Sequence, residues 1–585
     1  MGAGEASDLE EGNLYEAALR QLAAAGGGAG RGAGASALPR ARASASVVPW
    51  RRRNEGGGRS PGGIEVFWVK RSETLPFMGG WHAFPGGGLA RADAEVPVAG
   101  RPAGGREVGG RRGDRGPEGG GGGAEPDRAA LDRADGGGGG EADLMPGIVA
   151  CAIRELFEET GILLACPEPA AASGEHGGCD GHLVEGAAEL AAARRELLAG
   201  RPFAEVLRRL GAVADASRLV YAGRWLTPPF SPLRFDSRFF LLEWPPEEAA
   251  QPEVLPGELE SGSWIEPGAA WESWHRGENL AAPPILHLLE VLRQDGPEAG
   301  LGRLRDPAEA DLGPIRRVEL RPGVIMFPLP TATLPPASTT NAYLLGAGEA
   351  VLVDPGSGDR DALARLEQAL RAARERLRRR VTAIWLTHHH PDHVGGAAAL
   401  RERLGVPVLA HALTAERLAR HGVPVDGELH DGQRVALAGA PEMAVAVVHT
   451  PGHARGHLCF LEEGQRSLLA GDMVAGIGTI VIDPPEGDMD DYLASLDKLI
   501  ALAPGTLFPG HGPAVKDAAA KLREYRAHRL WREEKVMAAW RAGRREAAAM
   551  VPTVYDDAPP EAHRLAERQI VAHLARLRRA GRLTD

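Results

Sequence analysis

The sequence predicts a multidomain α/β protein, and three observations support this fold class. The chain has 585 residues, which is too long for one ordinary domain. Short apolar runs of strand type, such as Val381–Leu386, end in polar loops, and other segments, such as Pro146–Gly161, have helical periodicity. Glycine and proline, at 78 and 45 residues, mark the stretches between these blocks. Since no apolar run reaches membrane-spanning length and the N-terminus lacks an apolar signal core, a cytoplasmic protein without membrane contact is expected.

Composition divides the chain into segments of different character. Glycine-rich, charged stretches cannot bury enough apolar surface to offset their ordering entropy, so they are expected to be disordered. The net charge of −12 excludes a general nucleic-acid binder for the chain as a whole. The expected segments are a disordered N-terminus (1–42), a first globular block (43–294) with a disordered insertion (93–145), a linker (295–315), a second globular block (316–515) and a helical tail (516–585).

The segment Pro146–Gly161 reads PGIVACAIRELFEETG and predicts a helix that carries clustered carboxylates. Proline suits its first turn and glycine its end. Glu155, Glu158 and Glu159 are spaced three and four residues apart, so they share one face. Such carboxylates repel one another unless a cation lies among them, and Mg²⁺ prefers this all-oxygen environment. The alternative is a solvated acidic helix face.

The residues around this helix resemble the Nudix hydrolase family. The letters RELFEETGI, from Arg154 to Ile162, match the second half of the Nudix box, R-E-U-x-E-E-x-G-U, at each fixed position. Phe84–Gly88 supplies the glycine loop that opens the box. The Gly-rich insertion separates the two halves, and Asp93 stands where a glutamate is usual. An interrupted box of this kind resembles the subgroup around the peroxisomal coenzyme A diphosphatase.

This resemblance implies an α/β/α sandwich with a mixed sheet that hydrolyses a nucleoside-diphosphate-linked compound, using Mg²⁺ or Mn²⁺. Glu158, Glu159 and the Gly87 carbonyl would bind the metal. Glu155 would be a further ligand or the catalytic base that activates water. The metals would hold the diphosphate and stabilise charge while water attacks phosphorus.

Other residues of the first block are candidates for substrate binding. Arg234 and Arg238 would bind phosphate, with structural salt bridges beside a strand as the alternative. Glu258 in the segment PGELESGSW is the candidate distal carboxylate, and Glu260 is possible in its place. A different alternative is that the first block only binds or senses a ligand.

A second group of candidate ligands follows the apolar run Val381–Leu386. The segment 381–396 reads VTAIWLTHHHPDHVGG, so four potential ligands stand within six residues directly after a predicted strand. Neutral imidazole and carboxylate suit Zn²⁺, Fe²⁺ or Mn²⁺. The candidates, with three further ones downstream, are His388, His390, Asp392, His393, His453 in TPGHARGH, Asp472 in LLAGD and His511 in LFPGHGP.

This ordered set resembles the metallo-β-lactamase fold, an αβ/βα sandwich, over residues 316–515. The resemblance implies two metal ions, with Asp472 bridging them and Asp392 also taking part in catalysis. A hydroxide between the two cations would be the nucleophile, since both lower its pKa. His457 is expected to have a structural role. The implied ligands are His388, His390 and His453 for one metal, and Asp392, His393 and His511 for the other.

The tail, residues 516–585, carries 16 Lys/Arg and 10 Asp/Glu, so it is basic while the rest of the chain is acidic. Its last stretch, from Val551 to Leu583, resembles the winged-helix tail of lactamase-like proteins related to a mitochondrial single-strand endoribonuclease. Single-stranded RNA is therefore one expected substrate class. The alternative is that the tail only packs on the metal domain and shapes its pocket.

The sequence thus predicts a bifunctional metal-dependent hydrolase. A small-molecule diphosphate is the expected substrate of the first block, and single-stranded RNA or an acyl thioester that of the second. In the alternative arrangement, the second block is the only enzyme and the first is a sensor module.

Overall fold

The computed structural model describes residues 41–53, 63–75, 78–104, 141–168, 187–227, 233–244 and 251–583. The disorder predicted for 1–42 and 93–145 falls largely outside the described residues. Two described parts of the insertion are regular: Val98–Ala99 is a strand paired with Ala212–Asp215, and a helix begins at Glu141. The glycine-rich sequence therefore contains ordered ends.

The chain forms two compact units. One runs through Trp274 and resumes over Asn279–Glu309; the other contains His275–Glu278 and the chain from Ala310 onward. Each unit has its own sheets and its own apolar core.

The first unit combines a mixed sheet with helices. Its strands are β1 (Arg42–Arg52), β2 (Ile64–Arg71), β3 (His82–Ala83), β4 (Gly86–Gly88), β5 (Val98–Ala99), β6 (Ala165–Pro167), β7 (Ala212–Asp215), β8 (Leu219–Leu226), β9 (Phe235–Glu243) and β10 (Leu259–Ile265). Its helices are α1 (Glu141–Thr160), α2 (Ala187–Leu198), α3 (Phe203–Arg209), α4 (Pro267–His275), α5 (Pro283–Ala299) and α6 (Leu301–Arg305).

The main sheet of this unit has the order β10-β2-β1-β9-β8, with β1 and β9 parallel and the other neighbours antiparallel. Helix α1 packs its apolar side, including Ile153 and Phe157, against Val47 of β1 in the same buried core. The short strand β4 pairs with Ser44–Ser46 of β1. Because β4 and α1 both lie against β1, the two halves of the interrupted box meet in space.

The expected linker, 295–315, is helical over its first part. It contains the end of α5 and all of α6, where Leu304 is fully buried. Arg305 Nε donates a hydrogen bond to the carbonyl of Tyr221 in β8, at 3.0 Å. These contacts attach the segment to the first unit as far as Glu309.

The second unit is built from two sheets with helices outside them. Its strands are β11 (Asp311–Leu312), β12 (Ile315–Arg316), β13 (Val318–Arg321), β14 (Val324–Pro330), β15 (Thr339–Leu345), β16 (Glu349–Val353), β17 (Arg380–Trp385), β18 (Val408–Ala410), β19 (Gly427–Glu428), β20 (Arg434–Leu437), β21 (Met443–His449), β22 (Leu458–Glu462), β23 (Ser467–Gly471) and β24 (Thr506–Pro509). Its helices are α7 (Arg360–Leu377), α8 (Pro391–Val394), α9 (Ala397–Leu404), α10 (Ala412–Ala419), α11 (Met489–Ala501), α12 (Ala518–Arg541), α13 (Ala547–Val554) and α14 (His563–Arg579).

One sheet runs in the order β13 to β19 and the other in the order β20 to β24. Aromatic pairs join them: the rings of Trp385 and Phe460 are 5.0 Å apart, and those of Tyr343 and Phe508 are 5.9 Å apart. Helices α7 and α9 cover the first sheet, and α11 and α12 cover the second. The layers therefore follow the order expected for an αβ/βα sandwich.

The described part of the tail consists of α12, α13, α14 and a short 3₁₀ turn, which share a small core that includes Val536, Met550 and Ile570. Across the described residues, no helix is both long enough and apolar enough to cross a membrane.

A buried ion-pair network at the start of the first lactamase-type sheet predicts a pH-dependent contribution to stability. Glu319 accepts hydrogen bonds from Arg379 Nη2 at 2.6 Å, from Arg317 Nε at 2.8 Å and from the Gly323 amide at 2.7 Å. Glu319→Gln should lower the free energy of unfolding of this unit by about 3–5 kcal/mol at pH 7, because one partner of a buried pair is removed. Differential scanning calorimetry measures this loss.

The same network fixes the sign of the pH effect. Burial opposes ionisation of Glu319, but Arg317 and Arg379 outweigh it and lower its pKa to about 2. The stabilisation is therefore complete above its ordinary pKa of 4.5 and declines as the pH falls toward 2. Glu349→Gln, which removes the exposed pair with Arg380, is the control and should cost at most about 1 kcal/mol. Equal losses in both variants at pH 7 would contradict the prediction.

Candidate functional site

The candidate ligands of the second unit come from loops at the ends of four strands. β17 leads through Leu386 and Thr387 into His388, and the short helix α8 presents His393. His453, Asp472 and His511 follow β21, β23 and β24. Strands β21, β23 and β24 belong to one sheet, in which β23 and β24 are neighbours and β22 separates β21 from β23. The loops after these strands therefore bring their ligands to one region.

His388, His390 and His453 form one group of nitrogens. His388 Nε2 and His453 Nε2 each lie 3.0 Å from His390 Nδ1. Their donor atoms, within 4.8 Å of one another, have the spacing of ligands around a single ion.

Asp392, His393 and His511 form a second group with the same property. The Nε2 atoms of His393 and His511 are 3.4 Å apart, and Asp392 Oδ2 is 3.5 Å from His511 Nε2. The two groups match the two implied ligand sets residue for residue.

Asp472 lies between the groups and directs one carboxylate oxygen to each. Its Oδ2 is 3.5 Å from His453 Nε2, and its Oδ1 is 3.3 Å from His393 Nε2 and 3.4 Å from His511 Nε2. Oδ1 is buried and accepts no hydrogen bond from any described residue. An orphaned anionic oxygen in the interior is costly, so this position favours a cation.

A buried hydrogen-bond chain orients the imidazoles. Thr387 Oγ1 donates its single hydrogen to Asp354 Oδ2 at 2.6 Å, so at the 2.9 Å contact His388 Nδ1 must be the donor to Thr387 Oγ1. His393 Nδ1 donates to Asp354 Oδ2 at 2.8 Å. Both rings therefore direct Nε2 to the centre of the candidate metal site. Hydrogen-bond partners behind metal-ligating histidines orient the rings in the same way in other proteins.

Two more imidazoles are held in the same sense by backbone carbonyls. His453 Nδ1 donates to Val481 O at 2.7 Å, and His511 Nδ1 donates to Thr339 O at 3.0 Å. Neutral imidazoles held this way keep a lone pair on Nε2 for a metal.

Electrostatics agree with this geometry. Burial, with the neighbouring imidazoles, lowers the pKa of His388 well below its ordinary value and that of His390 to about 2. Burial opposes the charge of Asp472 too, but His511 and His393 outweigh it and hold its pKa well below the usual range. Although burial opposes their charge, Asp472 in turn raises the pKa values of His393 and His511. An ionised carboxylate among imidazoles is the donor set that a divalent transition metal accepts.

Tight backbone packing accommodates the cluster. A Cβ on Gly510 would lie 2.6 Å from Asp472 Oδ1 and 2.8 Å from His393 Cε1, so only glycine fits before His511. Asp354 has a φ of +48°, in the left-handed region that is unfavourable for a non-glycine residue. Its carboxylate, bound also by the Thr387 amide at 2.8 Å, maintains this conformation.

Asp354 and Thr387 are residues that the motif did not identify. In the sequence, the segment LVDPG (Leu352–Gly356) predicts a strand that ends in a turn at Asp354, and this pattern is the signal that could have identified Asp354. His457, expected to be structural, accepts a hydrogen bond from the Asp472 amide at 3.0 Å and contacts Thr450 through its other nitrogen at 2.9 Å. It fixes the backbone of Asp472.

In the first unit, the carboxylate helix α1 lies against the glycine loop. The Gly86 amide donates to Glu159 Oε2 at 2.8 Å. A Cβ on Gly87 would lie 2.4 Å from Glu155 Oε1, so the backbone of the loop lies directly against this carboxylate. Gly87, Glu155 and Glu159 are thus neighbours despite the long insertion between them.

Arg154 holds this cluster together. Its guanidinium is 2.9 Å from Glu155 Oε1, 3.0 Å from Glu158 Oε2 and 3.0 Å from the Gly88 carbonyl. It also forms a double hydrogen bond with the buried Asp93, at 2.8 and 3.0 Å. Asp93 therefore orients the arginine of the box.

Glu155, Glu158 and Glu159 are partly buried, so their carboxylates repel each other with little screening by water. Burial raises the pKa of Glu155 to about 7, although Arg154 opposes the rise, and Glu158 and Glu258 add to it. Burial likewise raises the pKa of Glu158, and that of Glu159 well above its ordinary value. A divalent cation bound by oxygen ligands would relieve this repulsion, so the donor set fits Mg²⁺ or Mn²⁺.

The two distal candidates have different surroundings. Glu260 forms an ion pair with Lys70 at 2.8 Å, whereas Glu258 raises the pKa of all three helix glutamates.

Arg234 and Arg238 are both buried. Arg234 Nε donates to the Thr227 carbonyl at 3.1 Å, and Arg238 pairs with Asp236 at 2.7 Å. Their phosphate-binding role stays a prediction.

The two sites differ in how closely their donors gather. Within the part of the chain that the structure describes, every group of three donor atoms within 4.8 Å lies in the histidine–aspartate cluster, and α1 forms none. Arg154 takes the place between Glu155 and Glu158.

Family models match three parts of the chain. Residues 41–293 match the NUDT19 Nudix domain, 335–511 the metallo-beta-lactamase superfamily, and 547–585 the beta-lactamase associated winged helix domain. Both enzyme families are hydrolases that bind divalent metals, so the chain is a hydrolase with two such domains. The expected fold class and fusion are confirmed.

Curated relatives align with the C-terminal part. The lactamase-like protein vrtG of Penicillium aethiopicum is 35% identical over 42% of this chain and 71% of its own. The Beta-lactamase-like protein 2 homolog of Drosophila melanogaster is 30% identical over 42% of this chain and 84% of its own. An Atrochrysone carboxyl ACP thioesterase of Aspergillus fumigatus is 33% identical over 35% of this chain and 61% of its own. The chain belongs to the metallo-beta-lactamase superfamily and carries a Nudix domain ahead of its lactamase fold and a winged-helix domain behind it.

Proposed function

We propose that this protein is a bifunctional metal-dependent hydrolase, with thioester hydrolysis in the lactamase domain and diphosphate hydrolysis in the Nudix domain. The observation that carries the proposal is the buried Oδ1 of Asp472, which accepts no hydrogen bond from the described residues and lies between two sets of imidazole and carboxylate donors. The lactamase domain would hold two ions of zinc, iron or manganese, and the Nudix domain magnesium or manganese.

In the lactamase domain, His388, His390 and His453 would hold one ion, Asp392, His393 and His511 the other, and Asp472 both. Bound cations of this kind lower the pKa of a coordinated water and polarise a carbonyl. The protein's own part is to direct ring nitrogens inward by binding the hydrogen on the opposite side of the ring. Asp354 binds Nδ1 of His393, and the Val481 carbonyl binds Nδ1 of His453, so Nε2 of each ring faces the centre.

A thioester is favoured over RNA by two observations. One similar protein is named as an acyl-carrier-protein thioesterase. At least half of the tail's 16 Lys/Arg residues, which suggested an anionic partner, form ion pairs with the protein's own carboxylates. Those with such ion pairs include Lys521, Arg526, Arg532, Lys535, Arg568, Arg576, Arg579 and Arg582.

In the Nudix domain, Glu155, Glu158 and Glu159, with the Gly87 carbonyl, would hold a metal beside a nucleoside diphosphate, and Glu258 would be the distal carboxylate. Glu155, whose pKa is about 7, has the ionisation expected of a group that exchanges a proton with water near neutrality. Coenzyme A-like compounds, which combine a diphosphate and a thiol, suit both domains. Cytoplasmic location and domain bounds at 43–294, 316–515 and 516–585 stay predictions.

The first prediction concerns Asp472. Asp472→Ala removes the carboxylate between the two donor sets, so the purified variant should hold less metal than the wild type and turn over acyl-coenzyme A thioesters at least about 100-fold more slowly. Elemental analysis and mass-spectrometric detection of free thiol measure these effects. The exposed Asp361→Ala is the control. Cleavage of single-stranded RNA by the wild type, without thioester turnover, would favour the RNA alternative.

The second prediction concerns Asp354. Asp354→Asn keeps the size of the side chain but removes the charge that orients His393, so metal affinity should fall about 10–100-fold. Competition with a chelator measures the affinity. Wild-type affinity in this variant would show that Asp354 maintains only the strained turn.

The third prediction concerns the carboxylate helix. Glu158→Gln and Glu159→Gln should each lower hydrolysis of a nucleoside diphosphate compound by at least about 100-fold, since charge at the metal position is lost. Thioester turnover should remain, which separates the two sites. The exposed Glu95→Gln is the matched control. Binding of the compound by the wild type without any hydrolysis would support the sensor alternative.

A further inference from the structure

The loop that follows Asp472 is held by the C-terminal helices. This segment, residues 473–482, begins directly after the bridging carboxylate and ends just past Val481, whose carbonyl accepts the hydrogen bond from His453 Nδ1. Its backbone therefore connects two candidate ligands. Any change in its position moves the ring of His453.

Helix α12 contacts this segment at two points, one helical turn apart. The Tyr525 hydroxyl donates to the Ala475 carbonyl at 3.1 Å and accepts from the Ala475 amide at 3.2 Å. Arg529 Nη2 donates to the Ile480 carbonyl at 2.6 Å. The same guanidinium lies 3.3 Å from Thr479 Oγ1.

Helix α14 supports the second contact. Gln569 Oε1 accepts a hydrogen bond from Arg529 Nη1 at 3.2 Å, and Gln569 Nε2 lies 3.4 Å from the Ile480 carbonyl. Both side chains are almost completely buried. Two helices of the tail thus converge on the peptide group that precedes Val481.

Arg529 is an unusual residue to bury at this place. It is 1% exposed, and among the described residues it forms no ion pair with a carboxylate; its bonded partners are neutral oxygens, and its Nε is unsatisfied. A buried charge without a counterion costs stability. The guanidinium also lies 5.3 Å from the centroid of the Tyr492 ring, and its shortest hydrogen bond is the one to the Ile480 carbonyl.

We propose that Arg529 is a positioning residue of the metal centre, which sets the orientation of His453 through Ile480 and Val481. This inference rests on the proposed function in one respect, namely that His453 is a metal ligand. It adds that the tail is part of the metal site and that Gln569 assists Arg529.

The matched control is Arg532, which lies on the same helix. It is also 1% exposed, but it binds the Val554 carbonyl at 2.5 Å and Asp557 at 2.6 Å, both within the tail. Arg529→Met and Arg532→Met therefore remove equally buried guanidiniums that differ in their connection to residues 473–482. Arg529→Lys keeps a donor, and Gln569→Leu is a milder change at the same junction.

The test measures metal binding on the full-length protein. Elemental analysis after dialysis, chelator competition with Zn²⁺, and the absorption spectrum of the Co²⁺-substituted protein are compared across the variants. Arg529→Met should weaken one Zn²⁺ site about tenfold or more and change the Co²⁺ spectrum, as loss of a ligand-orienting partner does elsewhere. Arg529→Lys should recover part of the affinity, Gln569→Leu should show a smaller loss, and Arg532→Met should match the wild type.

Two outcomes would overturn the inference, and they are distinguishable from failure of the proposed function. If the wild type holds metal while Arg529→Met and Gln569→Leu bind Zn²⁺ as it does, the positioning role is wrong and the metal centre stands. If Arg532→Met loses the same affinity as Arg529→Met, the effect is general destabilisation of the tail. A wild type that binds no metal would end both proposals.

Discussion

Asp472 brings a negative charge into an interior where an uncompensated charge is costly, and the second unit is arranged around that constraint. Four strands end at the carboxylate's surroundings, and each supplies a histidine or the aspartate itself. The imidazoles are held by Thr387, Asp354 and backbone carbonyls, so their protons point outward and their lone pairs inward. Close approach of the backbone at Gly510 completes the enclosure.

The carboxylate helix of the first unit has the opposite electrostatic problem. Its three glutamates concentrate negative charge, and Arg154 supplies the single positive group between Glu155 and Glu158. Asp93 in turn fixes Arg154 from the far side. Consequently the glutamates are less closely gathered than the histidines, and cation binding would compete with an internal ion pair.

The candidate metal ligands could be identified from the sequence, because ligand chemistry restricts both their type and their spacing. The residues that orient these ligands by hydrogen bonds could not be identified in this way. Asp354, for example, is a single aspartate in a turn, and its role depends on a backbone conformation with positive φ. The choice between Glu258 and Glu260 was open for a similar reason, since an irregularity between Leu259 and Ser261 shifts the pairing of β10 with β2. The expected linker also contains Leu304, whose burial depends on the packing of α6 against β8, which composition does not reveal.

The net charge of the tail does not show how many of its basic side chains are available to a partner. Its excess of basic residues suggested an anionic partner, yet Arg568, Arg576 and Arg579 pair with aspartates that belong to the lactamase domain or its edge. These pairs attach the tail to the lactamase domain, and Arg529 and Tyr525 bind the loop that follows Asp472, one of the candidate ligands. Because coupling free energies are reciprocal, a tail that stabilises the metal-binding arrangement must itself be stabilised by metal. Docking of the tail and metal occupancy are then coupled equilibria, and loss of metal should weaken the attachment of α12 and α14.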